Sequence, residues 1–452
     1  MRRLAVLGTM AVTGTVATAP MPAPVPAPVT ADGDVGRPAR LAPALAAHAR
    51  GALLVWQRGR LTYTERESDI EARRISTDGR PAGPVVQVSR APGPQTRPRA
   101  ACLADGRCLV VWQDLRNGRD WDVYAARIAA DGRVLDPGGS PLAEGPRSQA
   151  LPDVATDGTR FLVVWQHMAA DGFYELRAAL LRWNELPRRA RTLPVRYRPR
   201  DAARWLGYTP GWGWDRRPVS PGRRGSRTVL GGRPSVVAAR RGWVLDWLDE
   251  ASWRPGGPGW ARVARLRVGA AEAVVVDPRV PPEPVSAQRP GVLATDGAHV
   301  LRCVPLVTGR GHLTRLVLGE LLDARAWRWL GRPAGLPKGW KRRWPGTTPL
   351  LGGRAADGPA ACAAGHGVFA VAARASAHLR PDASAGTLLV QTLAADGSRL
   401  GEVHAPGPLP GAVRDPALAA TASGFLLAFA HDERGDGGWR IRLLRLDREG
   451  RP

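Results

Sequence analysis

The residues best equipped to bind something crowd into two stretches of this 452-residue chain. Between Trp183 and Gly232 twelve arginines stand against three acids, and between Ala324 and Arg354 eight basic residues stand against none. In the first, Arg196, Arg198, Arg200, Arg204, Arg216 and Arg217 interleave with Trp205, Trp212 and Trp214. In the second, Arg342 and Arg343 interleave with Trp327, Trp329, Trp340 and Trp344. A guanidinium offers a two-point fork to carboxylate, sulfate or phosphate, and an indole offers a flat face to a sugar ring. Together they suit an anionic polymer. The alternative arrangement packs the tryptophans under their own loops and leaves the arginines in water. The formal charge is +25, and only Lys338 and Lys341 are lysines. A GC-rich genome explains so strong an arginine bias, but not its concentration in two places.

Residues for covalent or metal chemistry are sparse. The eight histidines are scattered without the His-x-x-x-His or Cys-x-x-Cys spacing of a metal site, and no Gly-x-Ser-x-Gly elbow or phosphate-binding loop occurs. No metal and no cofactor is expected. Asp114 with Asp120 and Asp122, and Asp432-Glu433 with Asp436, read as solvated turns rather than calcium loops, because neither keeps a regular ligand alternation. Glycoside cleavage needs two carboxylates facing one sugar. The innermost strands described next hold a single acid, Asp153, which argues against an enzyme.

The elements that carry these residues repeat. Pro98 to Trp112-Gln113 and Pro152 to Trp165-Gln166 nearly superimpose, and Pro43 to Trp56-Gln57 follows the same pattern. Weaker copies begin at Pro234, Pro290, Pro359 and Pro416, so units of about 55 residues recur, with insertions at about 196–231 and 331–357. In the fifth copy Cys303 is read at the Trp place. Each unit continues through a stretch like Asp122-Val-Tyr-Ala-Ala-Arg-Ile128 to a second Asp-Gly, here Asp131-Gly132. Short β-branched and aromatic runs are strands, and Asp-Gly supplies the positive φ of a tight turn. Proline fits the head of the first strand. One unit is thus four antiparallel strands, too small to bury both faces alone, and radial stacking follows. The expected fold is all-β, a seven-bladed β-propeller of four-stranded antiparallel blades. The N-terminal stretch Ala31 to Arg40 would close the ring as the last blade's outer strand. Cys102 and Cys108 flank a turn that could set them opposite or diagonal, so a disulfide there is one outcome. Cys303 and Cys362 read as small core residues.

The pattern Pro-x-Val-Ala-x-Asp-Gly, Phe-Leu-Val-Val-Trp, Asp-Val-Tyr-x-x-Arg-Ile resembles the propeller repeats of exported bacterial surface proteins over about 41–452. That resemblance implies the fold and a place outside the cell, with no common activity. The N-terminus agrees: Met1-Arg2-Arg3, the apolar run Leu4 to Val16 and Ala17-Thr18-Ala19 form an export signal over 1–19. A Pro/Ala-rich spacer over 20–30 precedes the propeller at 31–452, with no membrane span after the signal. The expected protein is a secreted, cell-surface or periplasmic monomer. It would be a non-catalytic module holding an anionic polysaccharide, another surface polymer or a partner protein on its loop-rich rim, with nucleic acid not expected. A glycan lyase or hydrolase with its site on the insertions, or a purely structural scaffold, are the rival readings.

Overall fold

In the computed structural model the described residues are 28–30, 39–59, 67–168, 174–185, 187, 192–194, 227–228, 233–240, 242–249, 260–268, 274–276, 283–286, 291–308, 314–326, 328–329, 348–351, 356–376, 386–398, 400, 402–406 and 409–452.

One strand shows why the repeats stack. In Cys108–Asp114 every residue is buried, yet successive side chains go to different places. Cys108, Val110 and Trp112 pack with Leu53, Val55 and Ile70 of the preceding repeat. Leu109 and Val111 pack instead with Phe161, Val163 and Trp165 of the following one. Alternate residues leave opposite faces of a sheet, so a sheet apolar on both faces needs a neighbour on each side. Seven such inter-sheet cores occur among the described residues, and one joins Leu54 and Trp56 near the N-terminus to Leu426, Ala428 and Ile441 near the C-terminus. The sheets therefore close into a β-propeller ring.

Blade 1 runs outward from the axis as Arg40–His48, Gly51–Arg58, Asp69–Ile75 and Val86–Ser89, all antiparallel. The innermost strands of blades 2 to 7 are Gln95–Cys102, Gln149–Thr156, Ser235–Ala239, Val292–Thr295, Ala356–Gly365 and Ala412–Thr421. The tryptophans Trp56, Trp112, Trp165 and Trp247 of the second strands lie in the cores between blades, at most 1% exposed. Among the described residues no helix is long and apolar enough to cross a membrane.

The outer edges depart from four identical strands. The outer strands of blades 1 and 2 are Val86–Ser89 and Ser140–Ala143, several residues beyond the second Asp-Gly, and Val134 makes only an isolated bridge to Ile128. Among the described residues blade 6 has three strands, extended by a bridge between Val390 and His404. Arg227–Thr228 joins the ladders of blades 3 and 4. The ring is fastened by Val29–Thr30, which pairs antiparallel with Arg440–Leu446 of blade 7. This strand falls inside the expected spacer, just upstream of Ala31.

In blade 4 Pro234 directly precedes the strand Ser235–Ala239, as expected. In blades 1, 2, 3 and 7 the repeat prolines do not start the inner strands. They sit inside them, at bulges where the register slips between Leu41 and Ala44, Thr96 and Arg99, Ala150 and Asp153, and Arg414 and Ala417. Proline lacks an N–H, so a bulge accepts it without losing a ladder bond. The residue before it takes the left-handed conformation: φ is 50° at Ala42, 56° at Arg97, 55° at Leu151 and 53° at Asp415. In blade 3 the bulge is held from next door, because the N–H of Leu151 donates to Gln113 Oε1 of blade 2 at 3.1 Å. Bulges re-aim the side chains around them. Here they re-aim them at the head of the inner strand, on the rim where the loops between second and third strands also emerge.

Both cysteine pairs are disulfides. Cys102 and Cys108 are direct cross-strand partners in blade 2, with Cα atoms 4.0 Å apart. Cys303 and Cys362 are core residues, and they are also bonded across blades 5 and 6, with Cα atoms 6.9 Å apart. Their separation of 59 residues closes a much longer loop than the 6 of the other pair. Loop-closure entropy gives the long bridge about 4 kcal/mol and the short one about 2. Cys303→Ser with Cys362→Ser is thus expected to lower the denaturation midpoint more than Cys102→Ser with Cys108→Ser; the reverse order in a denaturant titration would contradict this.

Candidate active site

The bulges place charge at the mouth of the central channel. Asp153 follows Pro152 directly and reaches sideways around the ring. Its Oδ2 accepts the N–H of Val236 in blade 4 at 2.9 Å, and its Oδ1 lies 3.7 Å from Arg99 Nε of blade 2. Only 14% of the Asp153 side chain is exposed. Burial pushes its carboxyl up to about 6, against the opposing pull of Arg99 and of the N–H groups of Val236 and Val154. It is therefore a carboxyl that can hold and release a proton near neutral pH.

The chain of charge continues inward. Arg97, just before Pro98, is exposed, yet protein surrounds it closely enough that desolvation lowers its pKa, with Asp415 pulling the other way. Asp415 belongs to blade 7 and Arg97 to blade 2, with blade 1 between them. Blade 1 has only Ala42 at that place. Asp415 is thus close enough to act on Arg97 across the intervening blade. Arg99 is lowered too, by desolvation first, with Asp153 opposing, Arg97 adding and Asp415 opposing. Asp415 also accepts from Arg414 Nε at 3.0 Å, and Arg414 lies 5.5 Å over the Trp439 ring. Arg374 of blade 6 feels burial, then Arg414, and is offset by Asp415. Two carboxylates from different blades thus act on one set of arginines at the heads of the inner strands: Asp153 on Arg99, and Asp415 on Arg97, Arg99 and Arg374, with Arg414 bonded to Asp415. Such a cluster can donate a proton, offer a second carboxylate and hold an anion.

The candidates drawn from the sequence fall mostly elsewhere. Arg196, Arg198, Arg200, Arg204, Trp205, Trp212, Trp214, Arg216, Arg217, Trp327, Trp340, Arg342, Arg343 and Trp344 lie outside the described residues. Trp329 is in the short strand Arg328–Trp329, where it pairs with Leu322. Asp114 and Asp122 are buried rather than solvated. Asp114 binds Arg116 and the Trp112 indole, while burial, with Glu144 and Asp114 adding, pushes Asp122 up to about 6. No group of three His, Cys, Asp or Glu among the described residues is arranged to hold a metal ion. Asp415 was missed because the inner strands were read only from the prolines onward.

No family model matches the chain, and no curated protein does either. Among solved structures, the PL25 ulvan lyase bound to -[GlcA(1-4)Rha3S]- is similar at 10% identity and a TM-score of 0.48, covering 94% of this chain and 97% of that one. The β-propeller domain of the Trilobed protease from Pyrococcus furiosus is similar at 7% identity and 0.45, covering 92% and 96%. A GH43_1 enzyme from Xanthomonas citri complexed with xylose follows at 13% identity and 0.34, covering 77% and 86%. The expectation of a non-catalytic binding module is corrected here. The similar structures include a polysaccharide lyase and a GH43_1 enzyme. Separately, Asp153 is not the only carboxylate at the heads of the inner strands, because Asp415 also acts on Arg99.

Proposed function

We propose that the chain is an exported glycan-processing enzyme whose site is the mouth of the propeller channel. The observation that carries this is Asp153, a carboxyl held near 6 within the same charge cluster as a second carboxylate from a distant blade. A glycosidic oxygen is a poor leaving group until it is protonated, and a carboxyl poised near the working pH is the group to do it. A proton on Asp153 Oδ1 passes to that oxygen as the C–O bond breaks, and the bonding pair leaves with the oxygen. Water adds to the anomeric carbon and gives its proton to the Asp415 carboxylate. The carboxylate left on Asp153 is met by Arg99 and by the N–H of Val236. Export is supported by Met1 to Ala19 and by two disulfides, which persist in oxidising surroundings.

The test is new reducing ends released from a panel of polysaccharides by the full chain. Wild type is expected to cleave at least one, and Asp415→Asn to cleave it about 100-fold more slowly with an unchanged thermal midpoint. No cleavage of any glycan, or equal rates for the variant, would sink the proposal.

A further inference from the structure

We infer that the channel mouth takes an acidic sugar, and that Arg97 is the residue selecting its carboxylate or sulfate group. This rests on the glycan reading of the same site.

Three observations lead there. First, the arginines at the mouth outnumber its acids: Arg97, Arg99, Arg374 and Arg414 share the cluster with Asp153 and Asp415. When Asp153 carries its proton the imbalance widens. Second, the acids present are already engaged. Asp153 is spent on Arg99 and Val236, and Asp415 on Arg414. The Arg97 side chain is exposed and makes no hydrogen bond and no ion pair within 4 Å among the described residues, so its donors are unspent. Third, the backbone holds it there. Its φ of 56° is the left-handed conformation that the bulge also imposes at Ala42, Leu151 and Asp415. The same place, immediately before the inner-strand proline, is Arg233 in blade 4, whose Nε is buried and has no hydrogen-bond partner among the described residues. A buried guanidinium atom without a partner, as at Arg233 Nε, is costly, and an anion relieves the cost. The exposed Arg97 offers its donors to a ligand without first breaking a bond to the protein. A neutral sugar offers no anion. A carboxylate or sulfate offers the planar or tripodal oxygens that a guanidinium fork meets at two points.

Arg97 would act by binding charge carried on the sugar, so it sets specificity rather than moving protons. Its loss should therefore fall on acidic ligands and spare neutral ones. The experiment uses the full chain carrying Asp153→Asn, so that ligands survive, and short probes that fit one channel. The probes are trigalacturonate and its methyl ester, and sulfated and unsulfated maltotriose, followed by calorimetry. Trigalacturonate or sulfated maltotriose is expected to bind at least tenfold more tightly than its neutral counterpart, from one charge-assisted contact of about 1.5–3 kcal/mol. Whichever binds identifies the acidic group. Arg97→Ala should remove most of that preference, and Arg97→Lys should keep part of it. Equal binding of acidic and neutral probes, or a preference untouched by Arg97→Ala, overturns the inference. If wild type cleaves neutral glycans while Arg97→Ala changes nothing, the enzyme reading stands and this one falls. If Arg97-dependent acidic binding is found with no cleavage by wild type, the reverse holds.

Discussion

Replacing Asp153 with Asn is expected to slow glycan cleavage by about 100- to 10,000-fold, because it removes the proton donor while keeping shape and the bond to Val236. The wild-type rate should fall as pH rises through about 6, where the Asp153 carboxyl loses its proton. Any residual activity of the variant should lack that limb. Stability carries the same signature with a definite sign. An ordinary aspartate ionises at about 4 in the unfolded chain, whereas this one holds its proton to about 6 when folded. Between those values the folded state binds the extra proton, so stability falls as pH rises from about 4 to about 6 and is level above. Asp122 and Asp246 are also pushed up to about 6 and contribute slopes of the same sign. The difference between wild type and Asp153→Asn isolates the Asp153 share, and identical stability profiles for the two would place its ionisation elsewhere.

The second large effect lies away from the mouth, in blade 5. Arg302 is 0% exposed and sits between two acids. It donates to Asp246 of blade 4, whose Oδ2 also accepts the N–H of Gly291 at 3.0 Å, and to Glu320 Oε2 at 2.7 Å. Burial raises the Asp246 pKa, and even against the pull of Arg302 it stands at about 6. Arg302→Met leaves two carboxylates in the interior without their cation, which costs about 3–5 kcal/mol. A lower denaturation midpoint at unchanged m is the expected reading. Changing Asp246 and Glu320 to leucine as well should recover most of the loss, since an apolar cluster of similar volume needs no desolvation of charge. A loss below about 1 kcal/mol for the single change would mean the triad is not closed to water.

This blade also shows where the repeat becomes hard to read. The second strands of blades 2 and 3 announce themselves because both faces are apolar and an Asp-Gly turn leads in. Blade 5 keeps the turn at Asp296-Gly297, but an arginine and a disulfide-bonded cysteine replace part of the apolar run. Counted from that turn as in blade 2, Cys303 stands at the Trp place; counted as in blade 3, Val304 does. Cys362 belongs to another blade, so their pairing depends on which blades adjoin, which residue spacing does not state.

The site was half legible. Asp153 stood out as an acid in a strand of small apolar residues. Asp415 and Arg97 did not, because a proline was taken to open each strand, which put the preceding residue in a loop. The usable signal was chemical variety in that column: Ala42, Arg97, Leu151, Arg233, Arg289, Gly358 and Asp415 stand before prolines that are themselves invariant among the copies. A bulge explains both facts, since it needs a particular backbone and leaves the side chain free to differ.

A crystal structure of Asp153→Asn with an oligosaccharide released by the wild-type enzyme tests the channel-mouth site most directly. The expected result is a sugar seated on the axis, with its glycosidic oxygen within hydrogen-bond reach of residue 153 and an acidic group against Arg97. A sugar bound only on an outer edge of the ring, far from both residues, would contradict it.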